Sequence, residues 1–129
     1  MPVELLMLAL STVWLFVLIV VTTQFGLSQR SIQDLAGARD DLPAPTGMFA
    51  RGSRTVANHR EGLILFAPFA LIVVNQGLTT GLTVMRAQLF FYSRVAHGLL
   101  YFAGVPWLRT IAWTVGIVGT GMVAWPIFF

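Results

Sequence analysis

The residues Leu5–Gln29, LLMLALSTVWLFVLIVVTTQFGLSQ, form a run of 25 positions without a charged side chain. A helix needs about 20 apolar residues to cross the hydrocarbon core of a bilayer. Two further uncharged runs, Gly62–Met85 and Thr110–Phe129, are 24 and 20 residues long. The whole chain is 57% hydrophobic and 10% charged, whereas about a quarter of the residues in soluble domains are charged. These features predict an all-α integral membrane protein.

We expect a single domain, residues 1–129, that contains four membrane-crossing helices. These spans are about 3–24, 54–76, 84–103 and 108–127, and a polar cytoplasmic loop covers about 27–53. Four spans of about 20 residues leave no room for a separate soluble domain. The first span lacks the basic start and short apolar stretch of a signal peptide, so we interpret it as a mature helix. The third span is the weakest by hydropathy, because it contains Arg86 and Arg94.

The arginines are unevenly distributed between the two sides of this arrangement. The side of the first and third loops carries Arg30, Arg39, Arg51, Arg54 and Arg109, and the other side carries only Arg86. Loops rich in arginine and lysine usually face the cytoplasm. The pattern therefore predicts cytoplasmic first and third loops, with both termini outside.

The composition also excludes several kinds of chemistry. The chain has no cysteine, so disulfides, a protein thiolate and cysteine-ligated metals are excluded. The net charge is +3, but the basic residues form no run and do not alternate with aromatic residues, so no nucleic-acid partner is predicted. His59 and His97 do not have metal-ligand spacing, and no metal is predicted. All eight cations are arginine, which either suits carboxylate binding or reflects codon usage.

Polar residues form two stripes that should meet at the cytoplasmic side. The stripe on the second span is Arg51, Arg54, Asn58 and Glu61, and the stripe on the third span is Arg94, His97 and Tyr101. Spacings of three and four residues place each set on one helix face. Arg109 lies at the start of the fourth span. Because the two helices run in opposite directions, both stripes and Arg109 reach the same depth, where they predict a pocket for a small anion with several carboxylates.

A simpler interpretation of these charges stays open. Arg54 or Arg94 can pair with Glu61, as intramembrane charges tend to do, while the other arginines extend to the lipid headgroups. His59 and Arg60 lie off the stripe, and for Arg60 a subunit contact or an extension to the headgroups is favoured over ligand binding. The small residues of the last span, Ala112, Gly116, Thr120 and Ala124, favour a helix-packing face. The tryptophans Trp107, Trp113 and Trp125 are interpreted as interface anchors.

Two motifs resemble those of a known family. Arg54-Thr-Val-Ala-Asn58-His-Arg-Glu61 is similar to the R-x-x-x-N-x-x-E signature of the MAPEG family, the membrane-associated proteins in eicosanoid and glutathione metabolism. Arg94-Val-Ala-His97-Gly-Leu-Leu-Tyr101 resembles the R-[VI]-x-[HY]-x-x-x-Y stretch of the same family, and Arg109 matches its arginine near the start of the fourth helix.

The resemblance implies a four-helix bundle per subunit, a homotrimer, and glutathione bound near the cytoplasmic side between subunits. It implies that glutathione is held by Arg54, Asn58, Glu61, Arg94 and Tyr101. By the same resemblance Arg109 stabilises the glutathione thiolate, and Arg30 reaches in from the neighbouring subunit. His97 and Arg51 join the expected binding set because they lie on the two polar stripes.

The expected function is that of a glutathione-dependent membrane transferase or peroxidase acting on hydrophobic electrophiles or lipid hydroperoxides. The expected partners are glutathione, membrane lipid and a hydrophobic small molecule. The family also contains a non-catalytic lipid-binding member, so a lipid-binding or scaffold protein is the alternative. The chain departs from several relatives in having Gly62 directly after the glutamate, where they have an aromatic residue. A transporter is disfavoured because the polar groups cluster at one end.

Overall fold

Five helices account for most of the chain. The computed structural model describes all 129 residues, and its helices are α1 (Val3–Gln29), α2 (Ile32–Ala36), α3 (Gly47–Asn75), α4 (Gly81–Ala103) and α5 (Pro106–Phe128). The predicted all-α class is therefore confirmed. Three helices, α1, α3 and α5, are long and apolar enough to cross a membrane. The remaining long helix, α4, is not among them and contains Arg86 and Arg94.

The four long helices lie side by side and alternate in direction along the chain. The central pair, α3 and α4, contacts both other long helices, and α1 and α5 pack on either side of it. Contacts between α1 and α3 pair the end of one helix with the start of the other, since Gly26 meets Phe49 and Ser11 meets His59. The start of α3, the end of α4 and the start of α5 consequently lie at one end of the bundle.

Helices extend into the segment of about 27–53 that the sequence predicted as a polar loop. The first helix continues to Gln29, a short helix follows at Ile32–Ala36, and α3 already begins at Gly47. Gly52 lies inside α3 at a point where α1 approaches closely, since a Cβ there would collide with the side chain of Thr22. The short helix begins at a capping box, in which Ser31 and Asp34 exchange hydrogen bonds.

The remaining helix ends follow local rules. The third long helix begins at Gly81 and not near residue 84, because Thr80 and Thr83 form a capping box. It ends at Gly104, whose φ of 76° is left-handed and suits glycine. Pro106 is the first residue of α5, a position where a missing backbone N–H costs nothing. Only Gly104 and Val105 separate α4 from α5, so the two helices form a tight hairpin.

The apolar core occupies the half of the bundle away from this hairpin turn. Phe66 and Phe90 stack with their ring centroids 4.0 Å apart. The buried cluster around them consists of Met7, Phe66, Ala70, Val73, Ala87, Phe90 and Val123. The other half of the bundle is where the buried side chains become polar, as described below.

Two ionisable side chains, Glu4 and Arg86, form hydrogen bonds in the half of the bundle away from the hairpin turn. Glu4 is fully buried, and its Oε1 accepts a 2.6 Å hydrogen bond from the Thr83 hydroxyl. Arg86 donates from Nη1 to the backbone carbonyl of Met122 at 2.8 Å. That carbonyl lies four residues before Pro126, which lies inside α5 and has no N–H to offer it. Arg86 thus supplies the hydrogen bond that the proline removes.

Candidate functional site

The phenol of Tyr101 lies between two arginines at the hairpin end of the bundle. Arg54, on the second turn of α3, donates from Nε to the Tyr101 hydroxyl at 2.9 Å. The Arg109 guanidinium carbon lies 4.4 Å from the centre of the Tyr101 ring, within cation–π range. Because the phenolic oxygen accepts from Arg54, its own proton stays available for another group. Arginine side chains of α3 and α5 therefore both contact Tyr101 of α4.

An open cavity of about 220 Å³ lies beside this arrangement. Its six lining residues are Asn58, His97, Tyr101, Arg109, Thr110 and Trp113. None is acidic, and Arg109 contributes a full positive charge. The rings of His97 and Tyr101 meet edge to face at 5.6 Å. The cavity suits the anionic end of a ligand, because its donors outnumber its acceptors.

Behind the cavity wall lies a buried polar chain. Arg94 is only 2% exposed, and its Nη2 donates to Asn58 Oδ1 at 2.7 Å. Its Nε lies 3.5 Å from Nδ1 of His59, whose Nε2 in turn lies 2.8 Å from the carbonyl of Ser11 on α1. The chain connects α1, α3 and α4. Nη1 of Arg94 and Nδ1 of His97 are buried without a hydrogen-bond partner.

Two glycines provide the space for the Arg94 side chain. A Cβ at Gly62 on α3 would lie 3.4 Å from Arg94 Nε, and one at Gly116 on α5 would lie 3.1 Å from Arg94 Cδ. The Gly116 Cβ would also lie 2.9 Å from the hydroxyl of Ser93. Gly62 therefore faces the buried arginine. Gly116 belongs to the predicted packing stripe, and the side chains it meets belong to α4.

Some predicted site residues lie elsewhere. Arg51 donates from Nη1 to the Phe102 carbonyl at 3.0 Å and so caps the end of α4. Arg30 donates to the Pro43 carbonyl and lies over the ring of Phe49 at 5.1 Å. Glu61 is exposed and is not a lining residue of the cavity. The hydrogen-bond partners of Arg54 and Arg94 are Tyr101, Asn58 and His59, not the Glu61 carboxylate proposed in the simpler interpretation.

The structure also places residues at the site that the sequence patterns did not single out. His59, set aside as off the stripe, is 1% exposed and contacts Arg94. Trp113, interpreted as an interface anchor, lines the cavity with Thr110. The sequence did contain a signal for Trp113, because this residue follows Arg109 by four positions and so lies on the same helix face. For His59 no local pattern points to the facing arginine on α4.

The comparison with known protein families identifies the chain. The sequence model of the MAPEG family matches residues 5–129, which is nearly the whole chain. The chain therefore belongs to the MAPEG family, a family of membrane proteins in glutathione and eicosanoid metabolism, as the two motifs predicted. Its three apolar helices agree with a location in the membrane. No curated protein matches the chain.

Proposed function

We propose that this MAPEG-family chain is a glutathione-dependent membrane enzyme that conjugates glutathione to hydrophobic electrophiles or reduces lipid hydroperoxides. The observation that carries the proposal is the cavity beside Tyr101, lined by Arg109 and without a carboxylate. Glutathione brings two carboxylates and the thiol that a chain without cysteine lacks. Arginine is well suited to carboxylates because its planar donors can bind both oxygens.

The binding residues divide into an inner and an outer group. Asn58, His97 and Tyr101 line the cavity with Arg109 and form the inner group. The cavity of about 220 Å³ is smaller than ligand pockets of about 300–1,000 Å³, so it holds only part of glutathione. The rest lies over the exposed Arg54 and Glu61, with Glu61 meeting the ligand's amine. Arg94 acts from behind the wall through Asn58.

Arg109 supplies the chemical activation. A thiolate, and not a thiol, is the nucleophile, and a neighbouring cation lowers the free energy of the thiolate. In conjugation the thiolate sulfur forms a bond to the electrophilic carbon, and the leaving group departs with the bonding electron pair. In peroxide reduction the thiolate attacks one peroxide oxygen, and an alcohol and a glutathione sulfenic acid result. A second glutathione then forms the disulfide and water.

We further propose a homotrimer of four-span subunits, with both termini outside and the hairpin end at the cytoplasmic side. Arg60 and Glu61 are exposed near the middle of α3, a helix able to cross the membrane. Charges facing lipid at that depth are costly, which supports coverage of this face by neighbouring subunits. Arg30 remains a candidate contribution from a neighbour. A hydrophobic second substrate reaches the cavity from the surrounding lipid.

The test uses the detergent-purified trimer. We expect glutathione to produce the ultraviolet difference absorbance of a bound thiolate, and an aryl halide to be conjugated. Arg109→Ala should lower turnover about a hundredfold, the loss typical of one oxyanion-stabilising donor, and should weaken binding much less. Arg39→Ala, on the exposed loop, serves as the matched arginine control. An assembled trimer that does not bind glutathione would rule out the proposal.

A second candidate is a non-catalytic lipid-binding or scaffold protein with the same fold. It is favoured by the placement of Arg30 and Arg51, whose guanidinium groups are bound to backbone carbonyls and not to the cavity. Fewer arginines then remain for glutathione. This candidate predicts co-purifying lipid and no change in thiolate absorbance when glutathione is added.

A further inference from the structure

The two hydrogen-bond partners of the His59 ring determine its tautomer. Its Nε2 lies 2.8 Å from the carbonyl oxygen of Ser11, which can only accept a hydrogen bond. Nε2 therefore carries the proton. The opposite ring atom, Nδ1, faces the Nε–H of Arg94 at 3.5 Å, and an arginine can only donate. The ring is consequently neutral and presents a lone pair to the arginine.

Arg94 also contacts a residue of the cavity wall, Asn58. With its Nε directed to His59, Arg94 uses Nη2 to donate to Oδ1 of Asn58 at 2.7 Å. An amide whose oxygen is bound in this way has its Nδ2 hydrogens free. Asn58 is also the one lining residue of the cavity that comes from α3. The orientation of its amide decides whether α3 offers the ligand a donor or an acceptor.

We propose that His59 is a positioning residue: through its Nδ1 lone pair it orients Arg94, and Arg94 turns the Asn58 amide so that its N–H groups serve the ligand. This inference rests on the proposed function and extends it to a residue outside the glutathione signature. In outer-shell sites of metalloenzymes, comparable supporting contacts change affinity by about 10–100-fold. The gap beside Gly62 and Gly116 lets Arg94 take this buried position.

A plain alternative is that His59 only ties α3 to α1 through the Ser11 carbonyl. Two substitutions separate these roles, because the amide of asparagine superposes on Nδ1 and that of glutamine on Nε2. His59→Asn keeps an acceptor for Arg94 and loses the bond to Ser11. His59→Gln keeps the bond to Ser11 and loses the acceptor. Ser11→Ala is the matched control, since it removes a buried hydroxyl without a partner and leaves the carbonyl in place.

The experiment measures glutathione affinity of the detergent-purified trimer by titration calorimetry. We expect His59→Gln to weaken binding about tenfold, which corresponds to one lost hydrogen bond to a charged group. His59→Asn should stay within about twofold of wild type and Ser11→Ala should not change affinity. The reverse order, equal losses in both His59 variants, or no loss in either would each overturn the proposal. A wild-type protein that binds no glutathione would instead refute the proposed function.

Two further measurements complete the test. In an Asn58→Ala background, His59→Gln should have no further effect on affinity if it acts through Asn58, and an undiminished tenfold loss would contradict that route. Nitrogen NMR of the wild-type ring should show one protonated nitrogen, Nε2, with Nδ1 unprotonated. A doubly protonated ring or an Nδ1–H tautomer would overturn the proposal even if a variant failed to fold.

Discussion

The hydrogen bond between Arg86 and the Met122 carbonyl leads to a prediction about stability. Arg86 donates from Nη1 at 2.8 Å to the carbonyl that Pro126 leaves without its helical partner. If Pro126 is replaced by alanine, the new backbone N–H can bond that carbonyl within α5. The free-energy cost of Arg86→Met should therefore be larger in the wild-type chain than in the Pro126→Ala chain.

The size of the difference follows from the environment of the carbonyl. A buried acceptor left without a partner costs about 1–3 kcal/mol, and interhelical hydrogen bonds in membranes average about 0.6 and reach about 1.7 kcal/mol. The pair here is only partly buried, so we expect a coupling free energy of about 1 kcal/mol. This exceeds the deviation from additivity of about 0.3–0.5 kcal/mol found for independent sites.

The assay is reversible unfolding of the four proteins of this double-mutant cycle in mixed detergent micelles, followed by circular dichroism. Losses common to both backgrounds, such as the arginine's stem contacts, cancel in the cycle. Pro68→Ala is the matched control, because Pro68 also lies inside a long helix, α3, but the carbonyl it leaves free belongs to Ile64. The cycle of Pro68 with Arg86 should show no coupling. Equal costs of Arg86→Met in the wild-type and Pro126→Ala chains would refute the reasoning.

Two other predictions concern the hairpin half of the bundle. Gly116→Ala should lower the unfolding free energy by about 1–3 kcal/mol, the usual cost of overpacking, since its Cβ would lie 2.9 Å from Ser93 Oγ. Gly62→Ala should cost less, because its Cβ would lie 3.4 Å from Arg94 Nε. Thermal unfolding of the two variants checks this order, and equal losses would contradict it. Arg51→Ala removes the hydrogen bond to the Phe102 carbonyl and should lower the unfolding free energy by about 1 kcal/mol. Glutathione affinity should not change. An unchanged melting temperature together with a loss of glutathione affinity would instead place Arg51 in the binding site.

The sequence was sufficient to predict the helical class and which helix faces meet. Spacings of three and four residues placed Arg54 with Asn58 and His97 with Tyr101, and the structure brings these two faces together. The prediction worked because helix periodicity is a local property and the alternating direction of the spans determines which ends are neighbours. The family followed from the same residues.

The remaining features depend on contacts between helices and had no local signal. The close approach of Thr22 on α1 to Gly52 on α3 is one such contact. Arg51 and Arg94 lie on the predicted stripes, yet one binds a carbonyl at the end of α4 and the other is buried behind Asn58. A stripe specifies the direction of a side chain, and the neighbouring helix decides what that side chain contacts. His59 illustrates this, because its two partners are 48 and 35 residues away in sequence.

The short turn at Gly104 has a consequence for how the site arises during synthesis. Five of the six lining residues lie between His97 and Trp113, on the two arms of the α4–α5 hairpin, and Asn58 is the sixth. Contacts this local in sequence form quickly once both arms exist. Because α4 and α5 follow α3 in the chain, the cavity is complete only after this hairpin packs against α3. We expect a product that stops before Pro106 to keep α1, α3 and α4 as helices while lacking half of the cavity wall.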